Sequence, residues 1–80
     1  MNPKHHQILS SIESQFDILL IQGDNFYDVK TNYGLDENGN VIWLNLWDKN
    51  ISDLSEIAKL STIKLLDLSH NAISDISQLV

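Results

Sequence analysis

The chain has 80 residues and no cysteine, with five lysines, no arginine and eleven carboxylates for a formal charge of −6. Without thiols it forms neither disulfides nor thiolate metal sites, and an acidic surface lacking clustered Lys/Arg excludes nucleic acid and anionic membrane as partners. The longest uninterrupted apolar run, Ile18-Leu19-Leu20-Ile21, is four residues and far short of a bilayer span.

Met1 to His6 has neither an apolar core nor a small-residue cleavage site, so it does not read as a signal peptide, and a cytoplasmic protein is expected. Asn2 suits a helix N-cap and Pro3 the first turn. Ile8, Leu9, Ile12, Phe16, Leu19 and Leu20 then share one helical face, with Gly23 placed to end the helix. His5 and His6 fall at its exposed start and point apart, so they do not share a metal ion.

A polar connector leads to a short strand, Thr31 to Leu35, and then to Asp36-Glu37-Asn38-Gly39-Asn40 and a second strand, Val41 to Leu46. Asn38-Gly39 is a strong hairpin signal, because a two-residue turn of that type needs positive φ at both positions. The oxygen-rich loop lacks the glycine at position six and glutamate at position twelve that an EF-hand requires, so a turn and not a calcium site is expected.

From there the chain repeats itself. An offset of 22 residues aligns Leu44 with Leu66, Leu46 with Leu68, Ile51 with Ile73, Ser52-Asp53 with Ser74-Asp75, and Ser55 with Ser77. Val41 meets Ile63, Leu54 meets Ile76 and Ile57 meets Leu79, so the apolar pattern survives where identity does not. Leu44-Asn45-Leu46 and Leu66-Asp67-Leu68 alternate as short strands do. Turn-prone stretches follow, and the pairs Asp53/Glu56 and Asp75/Gln78 have capping-box spacing for a short helix.

The stretch Leu60 to Leu79 resembles the 22-residue bacterial, internalin-like leucine-rich repeat. Leu66, Leu68, Asn71 and Ile73 match its L-x-L-x-x-N-x-I core, and Ser74-Asp75-Ile76 match its S-D-I tail. The resemblance implies that the asparagine side chain satisfies backbone groups in the turn. The preceding unit departs from the pattern, with Lys49 at the asparagine position and Asn50 next to it. The "DENG-x-V" hairpin is similar to the lead-in of many such proteins.

The expected fold is therefore α/β, a leucine-rich-repeat solenoid fragment. An N-terminal helix and β-hairpin cap (1–38) precede parallel strand–turn–short helix repeats at 39–60 and 61–80, the second read as truncated. All four leucines, Leu44, Leu46, Leu66 and Leu68, are expected in the core. With nothing polar closing the second repeat, its edge is expected to allow self-association or to order only partly beyond about residue 70.

With the leucines inward, Trp43, Asn45 and Trp47 point to the opposite, concave face beside Leu65, Asp67 and Ser69. The resemblance implies that this face binds another protein, as aromatic anchors commonly do. Trp43 has a structural alternative, packing across the hairpin on Tyr33. No phosphate loop, nucleophile elbow or HExxH is present, and His70 near Asp67 and Ser69 reads as a turn residue, so neither enzyme activity nor a cofactor is expected. The alternative to a binding scaffold is a capping or assembly module of a larger signalling protein, for example one with a GTPase domain.

Overall fold

The computed structural model describes residues 1–73. Readings placed on Ser74 to Val80, including the S-D-I tail, the Asp75/Gln78 pair and the ordering of the final segment, lie outside the described residues. The described residues form one α-helix and a three-stranded mixed sheet.

Helix α1 spans Pro3–Phe16. The Asn2 side chain caps it, Oδ1 accepting from the Lys4 N–H at 2.9 Å and the His5 N–H at 3.4 Å. The helix stops earlier than the apolar periodicity suggests. Asp17 turns left-handed at φ 54, and the Glu13 carbonyl accepts the N–H of both Asp17 and Ile18. The Glu13 carboxylate then takes the Leu20 N–H at 2.8 Å. With the helix over, Leu20 is buried and Leu19 is 73% exposed, and Gly23 lies well beyond the end.

His5 is also displaced from its expected exposed position. It is buried, and its Nδ1 accepts the Val41 N–H at 3.0 Å. One side chain thereby satisfies a strand N–H from the first helical turn. Beside it, the Asn2 N–H donates to the Gly39 carbonyl at 2.8 Å and Asn2 Nδ2 to Asn40 Oδ1 at 3.0 Å. The start of α1 is thus fastened to the hairpin loop at three points.

Strands β1 (Tyr33–Leu35) and β2 (Val41–Asn45) pair antiparallel, Tyr33 with Leu44, Gly34 with Trp43 and Leu35 with Val41. Ile42 is left without a partner, as in a β-bulge, and the extra residue lets both Val41 and Leu44 enter the core from one strand. The turn is not the two-residue form: of Asn38 and Gly39 only Gly39 has positive φ, at 78°. Asp36 organises a longer loop, its Oδ1 accepting from the Asn38 and Asn40 N–H groups at 2.9 Å each.

Strand β3 (Leu65–Asp67) pairs parallel to β2, with Trp43 opposite Leu65, Leu44 opposite Leu66 and Asn45 opposite Asp67. The sequence offset of 22 is the register of the sheet. Other features recur at the same offset. Asn45 Oδ1 accepts the Trp47 N–H and Asp67 Oδ1 the Ser69 N–H, and Asp48 and His70 both have left-handed backbones, at φ 53 and 59.

The segment between β2 and β3 sends Ile51, Leu54, Ile57 and Leu60 into the core with Ile8, Leu9 and Ile12 of α1. It coils only into a 3-10 turn, Ile57–Lys59, without a capping box. Asp53 instead accepts the Ser55 N–H at 2.8 Å, and Glu56 pairs with Lys59 at 2.9 Å. Both acids are occupied two or three residues away, and no side chain caps the 3-10 turn. Leu44 and Leu46 are fully buried, whereas Leu66 and Leu68 are only half-buried against the cluster.

Burial orders the leucines energetically. Leu46→Ala is expected to cost about 2–5 kcal/mol, the range for an emptied core leucine, and Leu66→Ala clearly less, as read from urea midpoints. An equal or larger loss at Leu66 would contradict the half-burial.

The Asp36 loop gives a pH signature. Donation from the Asn40 N–H, and then from Asn38, holds the Asp36 carboxyl below the usual carboxylate range. A carboxyl lowered by folding stabilises above its unfolded value near 4, and that contribution is lost as pH falls through this range. Asp36→Asn is therefore expected to lower the thermal midpoint at pH 7 and to approach the parent as pH falls below about 4. A deficit that is constant across this range would exclude the charge.

Candidate protein-binding face

Trp43, Asn45 and Trp47 do lie on the sheet face away from Leu44 and Leu46, and Leu65 adjoins Trp43 as the register requires. They are not equally open. Trp43 is buried, with its indole seated against Gly34, where any Cβ would overlap it. Phe26 meets the indole edge-on, with centroids 5.9 Å apart and planes at 79°. The packing partner is therefore Gly34 and not Tyr33, whose register partner is Leu44.

Asn45 is buried by the same connector. Its Nδ2 donates to the Phe26 carbonyl at 3.2 Å while Oδ1 holds the Trp47 N–H. Asn32, also buried, completes the seam, with Oδ1 accepting from the Ile21 N–H at 2.9 Å and Nδ2 donating to the Asn45 carbonyl at 3.1 Å. Trp43 and Asn45 are thus structural, and the expectation that they face solvent is corrected. The connector folded over them carries two adjacent aromatics, Phe26 and Tyr27, in a mostly polar stretch, which is the signal the sequence held.

What stays open is a ledge. Trp47 is 42% exposed and Leu65 46% exposed, Ser69 is exposed and Asp67 is half-buried. The Asp67 carboxylate is oriented by its bond from the Ser69 N–H at 2.9 Å. His70 meets the Trp47 ring edge-on at 5.5 Å, so it belongs to this aromatic pair. Tyr27, 78% exposed, stands on the connector with its ring against Phe26 at 5.2 Å.

Beyond the ledge, Asn71 secures the turn that carries Trp47. Its Oδ1 accepts the Lys49 and Ile51 N–H groups at 2.9 Å each, and its Nδ2 donates to the Leu46 carbonyl at 2.7 Å. An asparagine of the second unit thereby satisfies the backbone of the first, including the position where Lys49 replaces an asparagine.

Among the described residues no three of His, Asp or Glu converge to hold a metal ion, and no helix is long and apolar enough to cross a membrane. No protein-family model and no curated protein sequence matches the chain.

The two tryptophans should separate experimentally. Trp43→Ala is expected to cost about 3–5 kcal/mol, and Trp47→Ala to stay within about 0.5 kcal/mol of the parent. Trp47→Phe should leave a blue-shifted emission resistant to acrylamide quenching. A red-shifted, readily quenched emission from that variant would mean that Trp43 is open to water.

Proposed function

We propose that the chain is a protein-recognition module, the first part of a leucine-rich-repeat-type parallel stack, which binds a partner protein through the ledge of Trp47, Leu65, Asp67 and Ser69. The observation that carries this reading is an exposed tryptophan just past the end of β2, on a turn held by Asn71. Asn71 fixes the turn beneath Trp47, so little side-chain or loop entropy is lost on binding. Tryptophan on such a support is the residue type that dominates interface energetics. The stack is supported by three features repeating with one spacing: the parallel register, the Asn45/Asp67 side-chain bonds and the Asp48/His70 backbones.

Selection of peptide ligands from a random display library tests the reading. Ligands are expected to lose at least about tenfold in affinity, or 1.4 kcal/mol, on Trp47→Ala. Ligands insensitive to both Trp47→Ala and Leu65→Ala would place recognition elsewhere.

A second reading is an assembly or capping module of a larger protein, working through the outer side of β3. It is favoured by the position of β3 at the end of the order β1-β2-β3 among the described residues and by the exposure of Leu65. Under it, light scattering over a concentration series is expected to show growth in mass that Leu65→Lys abolishes. A constant monomer mass would remove it.

A further inference from the structure

We infer that the segment recognised by the ledge is cationic and extended, with a lysine or arginine side chain seated between the Asp67 carboxylate and the Trp47 indole and an apolar neighbour resting on Leu65. The inference rests on the binding role proposed above and adds the chemistry of the partner.

Geometry puts the two groups within reach of one side chain. The Asp48 N–H donates to the Ser69 carbonyl at 3.0 Å and the Leu46 N–H to the Asp67 carbonyl at 2.9 Å, so the parallel pairing runs on past β2. Trp47 therefore stands beside Ser69 and diagonal to Asp67, a separation of roughly 7–8 Å between paired strands. A cation held over an indole lies within about 6 Å of the ring, so a long side chain on that diagonal can approach both groups.

The charges select the sign. Asp67 is already oriented by Ser69, and the one ion pair among the described residues joins Lys59 to Glu56, in another part of the molecule. Asp48 follows Trp47 directly, and Asp24 and Asp28 flank the aromatics of the connector. Lys49 adjoins Asp48, Lys30 follows Asp28 by two residues, and Lys64 precedes Asp67 by three, none of them in an ion pair among the described residues. With a formal −6 on the whole chain, a cationic segment is attracted. An extended segment presents alternate side chains to one face, which matches a charged site beside an apolar one.

Short blocked peptides that alternate valine with lysine, glutamine or glutamate test the inference on the full chain. The lysine peptide is expected to bind at least about tenfold more tightly than the glutamine peptide, to shift the Trp47 indole resonance, and to weaken between about 0.05 and 0.5 M salt. The glutamate peptide should not bind. Asp67→Asn keeps the oxygen that accepts the Ser69 N–H, and is expected to reduce lysine-peptide binding to the glutamine level.

Equal binding of all three peptides would overturn the charge selection while leaving the ledge a binding surface. Binding of none, alongside Trp47-dependent ligands from the display library, would overturn it too. Lysine-peptide binding unaffected by both Asp67→Asn and Trp47→Ala would show that the cation sits elsewhere.

Discussion

Short strands joined by tight turns leave many backbone N–H and C=O groups that no neighbouring strand can reach, and in a small domain those groups must still be satisfied. This chain meets that constraint largely with asparagine. Asn2 joins the helix start to the hairpin, Asn32 joins the connector to β2, Asn45 holds both Phe26 and Trp47, and Asn71 closes the turn after β2. An amide offers a carbonyl acceptor and two donors on one short side chain, so it can bind N–H and C=O groups of the same turn together. His5 does related work with a single nitrogen on Val41. Remove these bonds and the apolar cluster has no fixed frame, because β1 and β3 contribute only three residues each.

The aromatic packing depends on the same frame. Gly34 provides the backbone against which Trp43 is seated, and Phe26 covers the open edge of the indole. The connector can lie there only because Asn45 and Asn32 take up its carbonyl and N–H groups. The large ring thus serves as a second, smaller core on the far side of the sheet. Trp47, four residues on, is met edge-on by His70 but remains open to water.

Much of this was legible in the sequence, and what was not has physical causes. The offset of 22 predicted the parallel register residue for residue, since Leu44 and Leu46 have to repeat on one face to stack. The hairpin and the Asn2 cap followed from local chemistry. The helix end did not, because Glu13 outcompetes the apolar periodicity by collecting the N–H groups of Asp17, Ile18 and Leu20 with its carbonyl and carboxylate. The burial of Trp43 and Asn45 was hidden because it depends on a connector whose position is set by Asn32, a long-range bond with no periodic signature. For the same reason the ledge was read as six residues across the sheet, when only its Trp47, Leu65, Asp67 and Ser69 portion reaches water.

The parallel pairing of β2 and β3 also turns the length of the intervening segment into a reading frame. Side chains alternate faces along a strand, so a slip of one residue exchanges the two faces entirely. A single deletion between Ile51 and Leu60 that was passed on to β3 would carry the Asp67 carboxylate under the sheet, against Leu44 and Leu46, and lift Leu66 into solvent. Half-buried there against the apolar cluster, that charge would add a desolvation cost to the lost leucine contact. Changes of length here are tolerable only where a turn absorbs them, as the left-handed residues Asp48 and Asn50 allow next to β2. Along this stretch the spacing of the residues is under tighter constraint than their identities.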